Sequence, residues 1–257
     1  MRVAILGCGP AGLIAAHSAV TAGHDVTVIS HKRRSPTFGA MFLHEPIPDI
    51  SPKNPEMEIE VTKTGTREGY AEKVYGDPNV PVSWDRFNGG PTSAWSLRYA
   101  YGKLWDLYSD LIQDLPLTPQ TVSQIVGYDM IFSTIPATAL CLDWRHKFDK
   151  VTIMVIHTPT KREGNSMWYN GSIFNGAPKW YRYSCINSYE SWEFSKSLAP
   201  EVVRTEEIAR GLRINQGIKP LRTTCDCHPE IVRLGRFGKW DKNVFTHHGY
   251  QEVRDAL

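Results

Sequence analysis

Six residues near the start of the chain, Gly7-Cys8-Gly9-Pro10-Ala11-Gly12, restrict the possible folds more than any other stretch. They follow the apolar run Val3-Ala4-Ile5-Leu6, which reads as a buried parallel strand. They open an alanine-rich segment from Pro10 to Thr21, closed by Gly23, which reads as a helix. A β-branched strand from Asp25 to Ser30 completes a strand–helix–strand unit of the length a parallel βαβ crossover needs. In that context the G-x-G-x-x-G spacing has a physical meaning. Gly7 permits the tight turn, Gly9 lets a diphosphate approach the backbone with no Cβ in the way, and Gly12 lets the helix lie close to the sheet. The helix N-terminus, through Ala11 and the residues after it, presents unpaired N–H groups and partial positive charge to an anion. Pro10 lacks only an N–H that has no helical partner there. The reading is a dinucleotide-binding βαβ unit.

One position departs from the pattern. An acidic residue is expected at the end of the second strand to hold ribose hydroxyls, and the chain has Ser30 there, followed by His31-Lys32-Arg33-Arg34. Two readings stay open. Ser30 or His31 contacts the adenosine ribose of FAD and the basic run is solvated, or Lys32 and Arg33 hold the 2′-phosphate of NADP.

Further along, prolines and weak periodicity make 31–54 a loop with one short element. Ile59 and Val61 alternate with Glu58, Glu60 and Thr62, an antiparallel strand signal, and Tyr70 to Tyr75 is the expected return strand beyond Gly65. From Ser93 to Leu115 apolar residues recur at three and four, which predicts a long helix. Strands are expected over 129–135 and 150–157, and a pair over 180–184 and 191–194 joined across Asn187-Ser188. A helix is expected from Glu201 to Arg213, a short strand from Ile231 to Leu234, and a last helix from about Phe245 to the end. The chain ends and the stretch near 130 share one α/β character. The expected fold is therefore α/β, a Rossmann domain from residues 1–50, 120–148 and 229–257, with a small mixed α+β substrate-side insert from 51–119 and 149–228.

With 29 Lys and Arg against 27 Asp and Glu among 257 residues, the net charge of +2 gives no bulk argument for nucleic acid as a partner. No apolar run is long enough to cross a bilayer, and glycines and Pro10 break the apolar stretch of Met1 to Ala19, so neither a membrane span nor a signal peptide is expected. Five scattered cysteines suit a reducing, cytoplasmic setting. Cys225-Asp226-Cys227-His228 draws attention as a metal motif. Its cysteines stand one residue apart rather than two to four, however, and no second ligand pair is near in sequence, so no metal is expected.

The Gly-Pro-Ala-Gly turn resembles the FAD-binding version of the fingerprint. Leu234-Gly235-Arg236-Phe237-Gly238-Lys239-Trp240, ahead of a final helix, resembles the second flavin-contacting segment of UDP-galactopyranose mutases and the wider amine-oxidase-like flavoprotein superfamily. Phe42-Leu43-His44 after Gly39 is similar to the mutase segment that brings a histidine near the isoalloxazine, and Phe132-Ser133-Thr134-Ile135-Pro136 to the strand and turn that re-enter the FAD domain. The resemblance covers the first 45 residues, a stretch near 130 and the last 25. It implies Gly7, Gly9, Gly12, Gly235 and Arg236 at FAD, with His44 near the ring. The residues agree on their own terms, because Gly235 permits close backbone approach and Arg236 forks onto phosphate.

His44, His247 and His248 are the candidate catalytic residues, since histidine titrates near neutrality. Gly7, Gly9, Pro10, Ala11, Gly12, Ser30, His31, Lys32, Gly235 and Arg236 are the candidate cofactor residues. Arg182 alternates with Tyr181 and Tyr183, and on a pocket wall it would favour an anionic substrate. The leading expectation is a FAD-dependent oxidoreductase of a small substrate, amine-bearing or nucleotide-linked by the resemblance. The alternatives are an NADP-dependent reductase and a non-catalytic nucleotide-binding module on the same fold.

Overall fold

The structure, a computed structural model, describes residues 1–34, 37, 40–82, 84, 89–196 and 213–257. In chain order, β1 (Arg2–Leu6), α1 (Pro10–Thr21) and β2 (Asp25–Ser30) form over the expected residues. β3 (Phe42–Leu43) and β4 (Met57–Gly65) follow, then α2 (Arg67–Tyr75), β5 (Gly90–Ser96), α3 (Leu97–Tyr108) and β6 (Ile112–Asp114). Next come α4 (Pro119–Val122), β7 (Met130–Ser133), α5 (Ala137–Leu140), β8 (Phe148–Pro159), β9 (Ser166–Gly171), β10 (Arg182–Ile186) and β11 (Tyr189–Ser195). β12 (Arg213–Thr223), β13 (Ile231–Arg233), α6 (Gly235–Lys239) and α7 (His248–Ala256) complete the chain. The helix expected over 201–213 lies outside the described residues except at Arg213, where β12 begins.

Five strands make a parallel sheet in the order β13-β7-β1-β2-β6. Counting only its own strands, this is the 3-2-1-4-5 order of a doubly wound fold, and strand order reverses between β1 and β7. Residues 3–6 of β1 are completely buried, as a strand covered on both faces must be. Val3 and Ile5 pack with Leu13, Ile14, Leu104 and Val253, while Ala4 and Leu6 pack with Val122 and Leu140 on the opposite face.

Eight strands make a mixed sheet in the order β12-β8-β11-β10-β9-β4-β5-β3, with β4 and β9 its parallel pair. Glu58 and Glu60 point out from β4 while Met57, Ile59 and Val61 are buried, the alternation of a half-buried strand. The β10–β11 hairpin turns at Asn187 and Ser188, both at positive φ (51° and 61°), the two-residue turn whose twist matches the strands it joins.

Three expectations need correction. Tyr70–Tyr75 is not a strand: Thr66 caps the Gly69 N–H, Gly76 closes the helix in the left-handed region, and Tyr70, Ala71 and Val74 are buried from α2. Local capping outweighs the β-like composition, and β5 takes the place of the return strand. The helix expected from Ser93 to Leu115 is shorter. Its first residues belong to β5, Ser96 accepts from the Tyr99 N–H as the cap, and the last residues enter β6. Finally, α3 packs on α1 and β6 pairs with β2, so these two elements sit with the parallel sheet although their place in the chain suggested the insert.

Candidate functional site

The glycine turn lies at the carboxyl ends of β1 and β7, where strand order reverses. Gly7 has φ 103°, and a Cβ there would stand 2.8 Å from Thr134 Oγ1 and 2.9 Å from Ile135 Cγ2. A Cβ on Gly12 would stand 1.8 Å from the Gly7 carbonyl oxygen, so only glycine lets α1 lie this close to the turn. Gly9 differs. Its φ of −68° and ψ of 176° suit any residue, and it faces the cleft described below. The backbone therefore does not demand glycine at position 9; close approach of a ligand would. Gly235, at φ 67°, comes up against α1, a Cβ there standing 3.1 Å from Ala11 Cβ, and a Cβ on Gly238 would meet Ser133 O at 2.5 Å. The start of α6 is thereby seated beside the start of α1, which brings the two ends of the chain to one place.

A cleft of about 820 Å³ runs from this point to the mixed sheet, within the range of cofactor and ligand sites. Of the residues singled out from the sequence, Gly7, Gly9, Pro10, Ala11, Ser30, His31, His44, Gly235, Arg236 and His247 line it. Gly12 is buried behind the turn. Lys32 is not on the lining. Its N–H donates to Asp114 Oδ1 at 3.2 Å and its ammonium lies 3.9 Å from Asp110. The acid missing from the end of β2 stands on the next strand, with Asp114 opposite Ser30 and its carboxylate 3.5 Å from His31 Nδ1. Arg33 and Arg34 reach the cleft instead.

His44 and His247 meet through an aromatic cluster. The His44 ring lies 4.8 Å from Phe42, 4.9 Å from Phe245 and 6.1 Å from His247 between centroids, and Phe245 stacks on His247 at 5.4 Å. His248 turns away. It lines a neighbouring groove with Glu45 and Tyr250, and its Nδ1 accepts from the Phe245 N–H at 3.4 Å. Two of the three histidines proposed from sequence thus share the cleft.

The mixed sheet contributes a wall that the sequence reading only partly found. Arg182 is on it, paired directly across the hairpin with Glu193. Arg182 donates to Glu193 Oε1 through Nε at 2.9 Å and also through Nη2. Lys219 Nζ stands 3.3 Å from Glu193 Oε2, and the Tyr181 hydroxyl donates to the same oxygen at 2.9 Å. Burial alone would raise the Glu193 carboxyl, but Arg182 and then Lys219 outweigh it and hold it down at about 2. Burial lowers the Lys219 ammonium to about 8 against the pull of Glu193. Two cations and one anion leave a net positive charge on the wall. The register i + j across Asn187-Ser188 was the available signal for Glu193. β12 was not expected, so Lys219 had none.

Charge on the described lining residues runs one way. Arg33, Arg34, Arg182, Lys219, Arg236 and Lys242 line the cleft, and no Asp or Glu does. Such a lining concentrates anions. The residues at the turn fit a dinucleotide: backbone amides and a helix start for the diphosphate, bare approach at Gly9, and Arg236 on the adjacent start of α6.

Comparison of the coordinates with solved structures finds the same architecture at low sequence identity. The peptidyl tryptophan dihydroxylase QhpG superposes with a TM-score of 0.55 at 11% identity, over 99% of this chain and 65% of that protein. The PF1083 protein of Pyrococcus furiosus gives 0.57 at 10%, over 100% and 97%. The R204Q form of HpxO from Klebsiella pneumoniae, solved with FAD, gives 0.51 at 9%, over 98% and 79%. The chain spans about two thirds of the length of QhpG. No family model and no curated protein sequence matches it. The fold, a parallel five-stranded sheet joined to a mixed eight-stranded one, is therefore the one shared with these structures. No described helix is long and apolar enough to cross a membrane.

Proposed function

We propose that the chain is a FAD-dependent oxidoreductase acting on a small anionic substrate. The observation that carries this reading is the continuous cleft that joins the Gly7–Gly12 turn to the Arg182–Glu193–Lys219 wall, lined by six basic residues and no described acid. The backbone N–H of Ala11 at the start of α1, with Arg236 on the same cleft, would hold the diphosphate, and Ser30 and His31 would meet the adenosine ribose. Bound FAD would supply the two-electron chemistry. The protein's share is orientation and charge. Arg182 and Lys219 draw in a carboxylate or comparable anion, Phe42 and Phe245 form the apolar wall, and His44 and His247 stand ready to move a proton at the substrate. Solved neighbours described as a dihydroxylase and as an FAD complex support redox chemistry over the mutase branch of the resemblance. That branch rests on the Gly235-Arg236 and Phe42-Leu43-His44 segments.

The test is the absorbance spectrum of the purified chain, followed by bleaching under reductant and under a panel of aromatic and aliphatic acids. A yellow protein whose extracted flavin is FAD supports the reading. Arg33 and Arg34 on the cleft beyond β2 favour a second reading, an NADP-dependent reductase, which a colourless protein that binds NADPH would support. A colourless protein with no nucleotide affinity sinks both and leaves a binding module.

A further inference from the structure

The loop cysteines set aside in the sequence come together in the fold. Cys141 and His146 lie between α5 and β8, on the segment that leaves the parallel sheet for the mixed one. Cys225 and Cys227 lie between β12 and β13, on the segment that returns. The Sγ atoms of the three cysteines and a ring nitrogen of His146 all fall within 4.8 Å of one another. His146 Nδ1 is 3.4 Å from Cys141 Sγ and 3.6 Å from Cys227 Sγ. Ligands of a tetrahedral zinc, at ~2.3 Å for sulfur and ~2.0 Å for nitrogen, stand roughly 3.5–3.8 Å apart.

What surrounds the four atoms is also what a zinc–thiolate centre requires. His146 turns its other nitrogen, Nε2, to Asp226 Oδ1 at 3.3 Å, the carboxylate–histidine arrangement that fixes the ring for a metal on Nδ1. The Leu142 N–H points at Cys227 Sγ at 3.5 Å, and Arg233 Nη2 donates to Cys225 Sγ at 3.3 Å. Three thiolates and an imidazole around a dication leave one negative charge, which the Arg233 guanidinium balances. Arg233 also donates to the Cys225 and Cys227 carbonyls at 3.0 and 2.8 Å, so the loop is shaped around it. His228, the residue that completed the sequence motif, is elsewhere, its Nδ1 3.1 Å from Glu230.

We infer that Cys141, His146, Cys225 and Cys227 form a structural zinc site that pins together the two chain crossings between the parallel and mixed sheets. Four protein ligands close the coordination sphere, so the metal has no open position for substrate. On binding, three thiols release their protons to solvent and the zinc replaces them. The site is separate from the cleft and stands whether or not the chain binds flavin. Its role is to hold the substrate wall of the mixed sheet in place against the nucleotide-binding sheet.

Metal analysis of the full chain, purified without chelator or added metal, should find about one zinc per chain. Exchange into Co²⁺ should give the visible bands of tetrahedral cobalt–thiolate together with a sulfur-to-cobalt charge-transfer band. His146→Ala and Cys227→Ser should lose the zinc, His146→Cys should keep it because four thiolates are an equally good set, and Cys185→Ala should keep it too. Wild-type protein with no retained metal and no such cobalt spectrum overturns the inference, even if the variants fail to fold. So does a disulfide among Cys141, Cys225 and Cys227 in the untreated protein, or full zinc retention in both His146→Ala and Cys227→Ser.

Discussion

Two alanine substitutions in the glycine turn, at Gly9 and Gly12, should fail in different ways. At Gly12 the new Cβ would stand 1.8 Å from the Gly7 carbonyl oxygen, whereas an ordinary contact needs about 3.4 Å. The start of α1 must therefore retreat by roughly 1.6 Å, in a region where neighbouring residues Leu13 to Ala16 are completely buried. Overpacking of this kind costs about 1–3 kcal/mol, and the helix start moves away from the diphosphate at the same time. At Gly9 the backbone already has angles that alanine adopts freely, so Gly9→Ala should leave stability within about 0.5 kcal/mol of wild type or raise it slightly. Its methyl group enters the cleft and takes away one close amide-to-phosphate contact. A hydrogen bond to a charged group is worth about 1.5–3 kcal/mol, so FAD affinity should fall about ten- to a hundredfold. The assay pairs urea denaturation of the nucleotide-free protein with fluorescence titration of FAD. Gly12→Ala should move both readouts, Gly9→Ala only the second. If Gly9→Ala bound FAD as tightly as wild type, the turn would not be the diphosphate site and the functional reading built on it would fall.

The mixed-sheet wall and the helix layer offer further tests. Glu193→Gln removes the buried anion between two half-buried cations and should cost about 3 kcal/mol, the low end for a broken pair because solvent reaches both cations, a fall in Tm on the order of 10 °C for a chain of this size; a loss under about 1 kcal/mol would contradict the network. Because Glu193 is held at about 2, below its usual 4.5, its stabilisation is present above pH 4.5 and is lost as pH falls through about 2, so the acid limb of the stability curve should flatten in Glu193→Gln. Lys219, lowered to about 8, loses its charge as pH rises through that value, so the affinity of a probe carboxylate such as benzoate should weaken above pH 8. Lys219→Met should bind it weakly with no such break, and an unbroken wild-type profile would exclude Lys219 from the site. His17 is buried between the Tyr108 hydroxyl, at 2.7 Å from Nδ1, and the Pro48 carbonyl, at 2.8 Å from Nε2. Tyr108→Phe orphans the first nitrogen and should cost about 1–3 kcal/mol in chemical denaturation.

The sequence by itself determined the βαβ unit at the start of the parallel sheet. Val3 to Leu6, the glycine spacing, α1 and β2 are local patterns, and local patterns encode their own dihedral angles, caps and approach distances. The β10–β11 hairpin was legible for the same reason, because Asn187-Ser188 suits the positive φ that the turn requires. Where two local signals competed, as in Tyr70–Tyr75 and around Ser96, composition misled and capping decided. Only the tertiary structure could gather residues that no spacing connects. Asp114 takes up His31 and Lys32 from a neighbouring strand, Lys219 reaches Glu193 from a strand the sequence did not announce, and Cys141 and His146 meet Cys225 and Cys227 across some 80 residues of chain. Side chains that meet this way are brought together by sheet order and by the burial that fixes it, and neither is written in the distance between residues along the chain.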